Sequence, residues 1–196
     1  MKNLKYIILA LGLLATMNLS SAQNRHSRFL IGAQGGWQWF SDTYSHSGYA
    51  VNVNADYKFH KTFYASFIGH LGSYEGHVSR EILVSGEPMD ERFSDSVGEW
   101  MFGIGPGADL ISNNRDRIFV CLYAGVAGAE RKSETFNDEG GYKEFPKEKP
   151  IGFGAIAQFG YEHCFRSGFT LGGNVSGIYS IDRIYWGVNL SFGFSF

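Results

Sequence analysis

Apolar and polar residues alternate with a period of two along most of the chain. From Phe29 the positions Phe29, Ile31, Ala33, Gly35, Trp37 and Trp39 form one face, with Gln34, Gly36 and Gln38 on the other. Successive side chains of a strand point to opposite faces, so the pattern predicts a half-polar strand. It recurs at Tyr49, Val51, Val53, Ala55, Tyr57 and Phe59 against Asn52, Asn54, Asp56 and Lys58, and at Phe63, Ala65, Phe67, Gly69 and Leu71 against Tyr64, Ser66 and His70. Trp100, Phe102, Ile104, Ala108 and Leu110 alternate with Glu99, Gly103, Gly107 and Asp109, and Pro106 suggests a bulge or a strand end there. A fifth strand over 118–129 is apolar or small on both faces, which leaves its inward face open.

The sixth strand sets Ile151, Phe153, Ala155, Ala157, Phe159 and Tyr161 against Gly152, Gly154, Gln158, Gly160 and Glu162. A seventh sets Phe169, Leu171, Val175 and Tyr179 against Thr170, Asn174 and Ser176. The last has Ile184, Trp186, Val188, Leu190, Phe192, Phe194 and Phe196 against Tyr185, Asn189, Ser191 and Ser195. Eight strands follow. Short turns at 60–62, 112–117 and 163–167 alternate with loops at 41–47, 75–95 and 130–149, and with a short link at 180–183. Strands of about ten residues, an even strand number, short turns on one side and longer loops on the other are features of outer-membrane barrels. The expected fold is all-β: an eight-stranded antiparallel up-and-down transmembrane β-barrel.

Residues 1–22 add the address. Two lysines, an apolar run from Tyr6 to Met17 and a small-x-small end at Ser20-Ser21-Ala22 read as a cleaved signal peptide, with the barrel domain over 23–196. The apolar run is short for a spanning helix. Without residues 1–22 the chain holds 15 basic and 19 acidic residues, a formal charge of −4, which offers no footprint for nucleic acid. The loads of glycine (26), Phe (17) and Tyr (11) suit strands and interfacial rings. Cys121 and Cys164 are able to pair in an oxidising compartment, but spacing alone decides nothing. No cofactor and no metal site is expected.

The whole stretch after Ala22 resembles the small eight-stranded outer-membrane barrels of the OmpA and OmpX type, through its strand pattern, its loop asymmetry and the terminal Asn189-Leu190-Ser191-Phe192-Gly193-Phe194-Ser195-Phe196. The resemblance implies a bacterial outer-membrane location among lipid and lipopolysaccharide. It also implies that the barrel-insertion machinery reads Phe196, supported by Phe194 and Phe192.

Asp56, Lys58, Glu99, Asp109 and Glu162 fall on the polar face. In a barrel whose interior is just wide enough for side chains, they are expected to pair as a plug rather than line an ion path. Glu99 and Asp109, ten residues apart on one strand, are separated by about 33 Å and make no acid pair. His77-Val78-Ser79 with Glu91 resembles the His-x-Ser set of lipid A deacylase barrels, but it lies in a polar segment. Asp95-Ser96 with a distant His makes no palmitoyltransferase set either. The expected role is therefore non-enzymatic, structural or surface-interacting, with no ligand identifiable from sequence. A narrow channel and a lipid A-modifying enzyme are the alternatives, and a soluble lipocalin-like barrel is the rival fold.

Overall fold

The computed structural model describes residues 28–40, 47–84, 87–113, 115–137, 142–144, 149–181 and 183–196; of 40, 77–95, 133–137 and 142–144 it describes the backbone alone. The expected signal peptide, most of the 41–47 loop and much of the 130–149 loop lie outside the described residues. Among the described residues there are nine strands: β1 Phe29–Phe40, β2 Ser47–Lys58, β3 Phe63–Val84, β4 Glu87–Ser112, β5 Asp116–Asn137, β6 Tyr142–Glu144, β7 Ile151–Cys164, β8 Phe169–Ser180 and β9 Arg183–Ser195. Eight of them pair antiparallel with their neighbours around a ring that β1 and β9 close. The three-residue β6 is an annex on the outer part of β5. Closure matters because lipid tolerates no open sheet edge.

The ladder is staggered. From Leu30 it runs through Asp56, Ser66, Gly105, Tyr123, Ile156, Ile178 and Tyr185 and returns to β1 at Phe40, ten residues further along. Gly105 lies opposite Tyr123 by the register of its neighbours. Such a stagger tilts the strands by about 40° and fixes a narrow bore.

Both ends of the barrel follow from local chemistry. At one end the links are tight. At Asn113, the side-chain Oδ1 accepts from the backbone N–H of Arg115 and of Asp116, each at 2.7 Å, and Gly168 takes φ 85° in the link after β7. At the other end β3 and β4 continue as one paired hairpin to Val84 opposite Glu87, and β5 stays paired with β4 out to Asn137 opposite Glu91. The expectation of loops over 75–95 and 130–149 is thus corrected: the described residues of these segments are nearly all strand. Beyond the membrane both faces of a strand meet water, so the period-two signal fades while backbone pairing persists.

Two smaller corrections concern β4 and β5. Pro106 ends nothing: β4 runs through it, opposite Ala65, and the register shift falls between Asp109 and Ile111. The turn expected over 112–117 is shorter, because Asp116 and Arg117 already belong to β5. The open question about β5 is settled by burial, with Phe119, Cys121, Tyr123, Ala127 and Ala129 inward and Leu122 and Val126 outward.

Candidate functional site: a filled lumen inside an apolar belt

Inward side chains from all eight strands meet in the bore, and two charged assemblies anchor them. The first surrounds Arg117 at the tight-turn end. Its Nε donates to Glu162 Oε2 at 2.8 Å and its Nη2 reaches Glu162 Oε2 at 2.8 Å and Asp56 Oδ2 at 3.2 Å. Its Nη1 stands 3.7 Å from Asp109 Oδ1. Lys58 Nζ donates to Asp109 Oδ2 at 2.5 Å, and Ser66 Oγ donates to Asp56 Oδ1 at 2.6 Å. The guanidinium also lies over the rings of Phe119 and Tyr64, 4.8 and 5.6 Å from their centroids. Each buried carboxylate therefore has a cation, which is the condition for keeping ionised groups out of water.

The second assembly centres on Glu99, towards the long-hairpin end. Its Oε1 pairs with His70 Nε2 at 3.0 Å and accepts from Tyr74 O–H at 2.8 Å. His70 Nδ1 is 2.6 Å from Asn52 Oδ1, and the Tyr74 hydroxyl is 2.6 Å from Gln38 Oε1. Between the assemblies lie side-chain amides: Gln34 Oε1 accepts from Asn52 at 3.3 Å and from Gln158 at 3.0 Å. Asn189 Nδ2 donates to Asn174 Oδ1 at 2.9 Å. Ile68, Met101, Ile156 and Ile178 fill the remaining width, all fully buried. Tyr64 fits only because Gly107 lies beneath it; a Cβ there would stand 2.2 Å from the ring.

Asp56, Asp109 and Glu162 thus share the Arg117 assembly with Lys58, and Glu99 stands apart from them in the other. Arg117 escapes a reading of the sequence because the polar turn expected over 112–117 includes it, whereas β5 already begins at Asp116. The signal that could have found it is charge balance, since Lys58 alone faces four inward carboxylates. Cys121 and Cys164 are both free, and the Cys121 thiol donates to Tyr64 Oη at 3.3 Å. Among the described residues no cluster of His, Cys, Asp and Glu is placed to hold a metal ion. His77 lies opposite Ser94, Ser79 opposite Arg92 and Glu91 opposite Arg80 on the projecting hairpin. That pairing sets Glu91 across from Arg80 and not from Ser79.

The outside of the same strands is apolar. Val51, Val53, Phe67, Phe102, Ile104, Leu122, Phe159, Val175, Val188 and Leu190 are all exposed. Ten residues of strand rise about 33 Å, and a tilt near 40° makes the belt about 25 Å tall, the height of a hydrocarbon core crossed by strands. An apolar exterior around a polar bore is the inverse of a soluble lipocalin-like barrel. The chain is a small membrane-spanning β-barrel. Barrels of this design belong to the bacterial outer membrane, with short turns facing the periplasm and longer hairpins outside.

No family model matches the chain, and no curated protein matches it in sequence. Several solved structures are similar to it in fold alone. Ail, the attachment invasion locus protein of Yersinia pestis, in complex with the heparin analogue sucrose octasulfate, superposes with a TM-score of 0.44 at 15% identity, over 86% of this chain and 95% of that one. Neisserial surface protein A gives 0.42 at 12%, over 87% and 98%. The N-terminal β-barrel domain of Pseudomonas aeruginosa OprF gives 0.40 at 14%, over 87% and 98%. The barrel itself is read from the closed ladder.

Proposed function

We propose that this barrel is a non-enzymatic outer-membrane protein with a structural or surface-interaction role, exerted outside the cell by its hairpins. The observation that carries this reading is the pairing of β3, β4 and β5 well beyond the apolar belt, above a bore packed with side chains. The projecting sheet offers a surface outside the cell, and the packed bore argues against solute passage. The set His77, Ser79 and Glu91 lacks a register that groups its three members, which argues against the lipid A enzyme. Release of residues 1–22 and reading of Phe192, Phe194 and Phe196 by the insertion machinery belong to the same proposal. Phe196 supports it by exchanging backbone hydrogen bonds with Phe29 at 3.0 and 2.9 Å, at the seam that closes the barrel.

The test compares a deletion strain carrying the full barrel with one carrying a barrel whose residues 77–94 are replaced by a tight Asn-Gly turn. Detergent sensitivity reads the structural role, and attachment of cells to glass reads the surface role. A shortened barrel that restores the first and not the second is expected. Restoration of both would remove the hairpins from the role.

A further inference from the structure

The two ends of the molecule differ in charge. The described residues of 75–95 and 130–149 include 9 acids and 6 bases. The opposite rim is cationic. Arg28 at the start of β1, Lys61 in the turn after β2, Arg115 in the turn after β4 and Arg166 in the turn after β7 are all exposed. Among the described residues none of the four has an ion partner. The acid at this rim, Asp116, is already engaged: its Oδ1 accepts from Tyr161 O–H at 2.6 Å and lies 2.8 Å from His163 Nδ1, while its Oδ2 accepts from Asn113 at 3.1 Å.

Depth decides what such a ring meets. Each cation sits on a tight link or at a strand end, so none extends far below the belt. Aromatic rings border them: Phe29 stacks on Phe196 at 6.1 Å and packs on Tyr57 at 4.9 Å, His60 lies against Phe63 at 5.7 Å, and Phe165 against Phe169 at 5.7 Å. Aromatic rings and long cationic side chains mark the headgroup level of a membrane. We infer that Arg28, Lys61, Arg115 and Arg166 form a collar that gathers anionic phospholipid headgroups of the periplasmic leaflet. The periplasmic polymer beneath the membrane is the competing polyanion, but tight turns hold these cations at the bilayer surface.

The test uses the folded barrel in phosphatidylcholine bilayers carrying a small fraction of spin-labelled phosphatidylglycerol or spin-labelled phosphatidylcholine. A cation near an anionic surface is worth up to about fivefold in association. A several-fold preference for phosphatidylglycerol in the motionally restricted shell is expected, weakening with salt. The variant K61Q/R115Q/R166Q should lose most of it while keeping its heat-modifiable gel shift. The hairpin-end variant K132Q/K149Q should keep it. Equal association of both lipids, a preference that survives the collar variant, or a loss caused equally by the hairpin-end variant would overturn the inference. So would collar-dependent sedimentation with purified sacculi in the absence of a lipid preference.

Discussion

Arg117 holds Asp56 and Glu162 directly and stands beside Asp109, so removing it strands buried carboxylates in a bore packed with side chains. Breaking a buried ion pair by deleting one partner costs about 3–5 kcal/mol. Arg117→Met should therefore unfold at markedly lower urea than the parent in detergent micelles, followed by tryptophan fluorescence. Arg117→Lys keeps the charge but loses the planar fork, and should fall between them. An Arg117→Met curve that overlays the parent would show that the assembly is solvated. Gly107 makes a second, purely steric case. Gly107→Val drives side-chain carbon into the Tyr64 ring and should cost about 1–3 kcal/mol, as overpacked cores do; the same urea titration reads it.

At the scale of strands, the lipid-facing row is the most exacting part of the sequence. Val53→Arg puts a charge in the middle of the β2 row and should destabilise the barrel by about 2–4 kcal/mol, whereas Tyr57→Arg, near the end of the row, should cost less than about 1 kcal/mol. Reversible unfolding from phosphatidylcholine vesicles measures the difference, and equal costs would contradict the placement of the belt. This row is also why the eight strands were legible: where lipid lies on one face and a polar bore on the other, alternation is forced. Outside the belt water lies on both faces, so 75–95 looked like loop although β3 and β4 remain paired there. Across β5 the bore itself turns apolar, with Phe119, Cys121 and Tyr123 inward, so composition could not tell in from out. Asp56, Lys58, Glu99, Asp109 and Glu162 were visible as polar positions on outlined strands. Their division between two assemblies needed the stagger of the ladder, which no single strand reveals.

For the molecule as a whole, the closed ring and the filled bore make separate statements. The bore predicts silence: purified protein in planar bilayers should give no reproducible unitary current steps, and regular steps would show an open path past Arg117 and Glu99. The ring and its apolar belt predict where the protein resides and how it behaves in detergent. That is tested most directly by fractionating expressing cells and running the extracted protein on a gel with and without boiling. A membrane-bound protein whose unboiled form migrates differently from its boiled form is expected, because a closed barrel resists the detergent until heated. A soluble protein with a single mobility would contradict it, and would mean that the apolar face is turned inward.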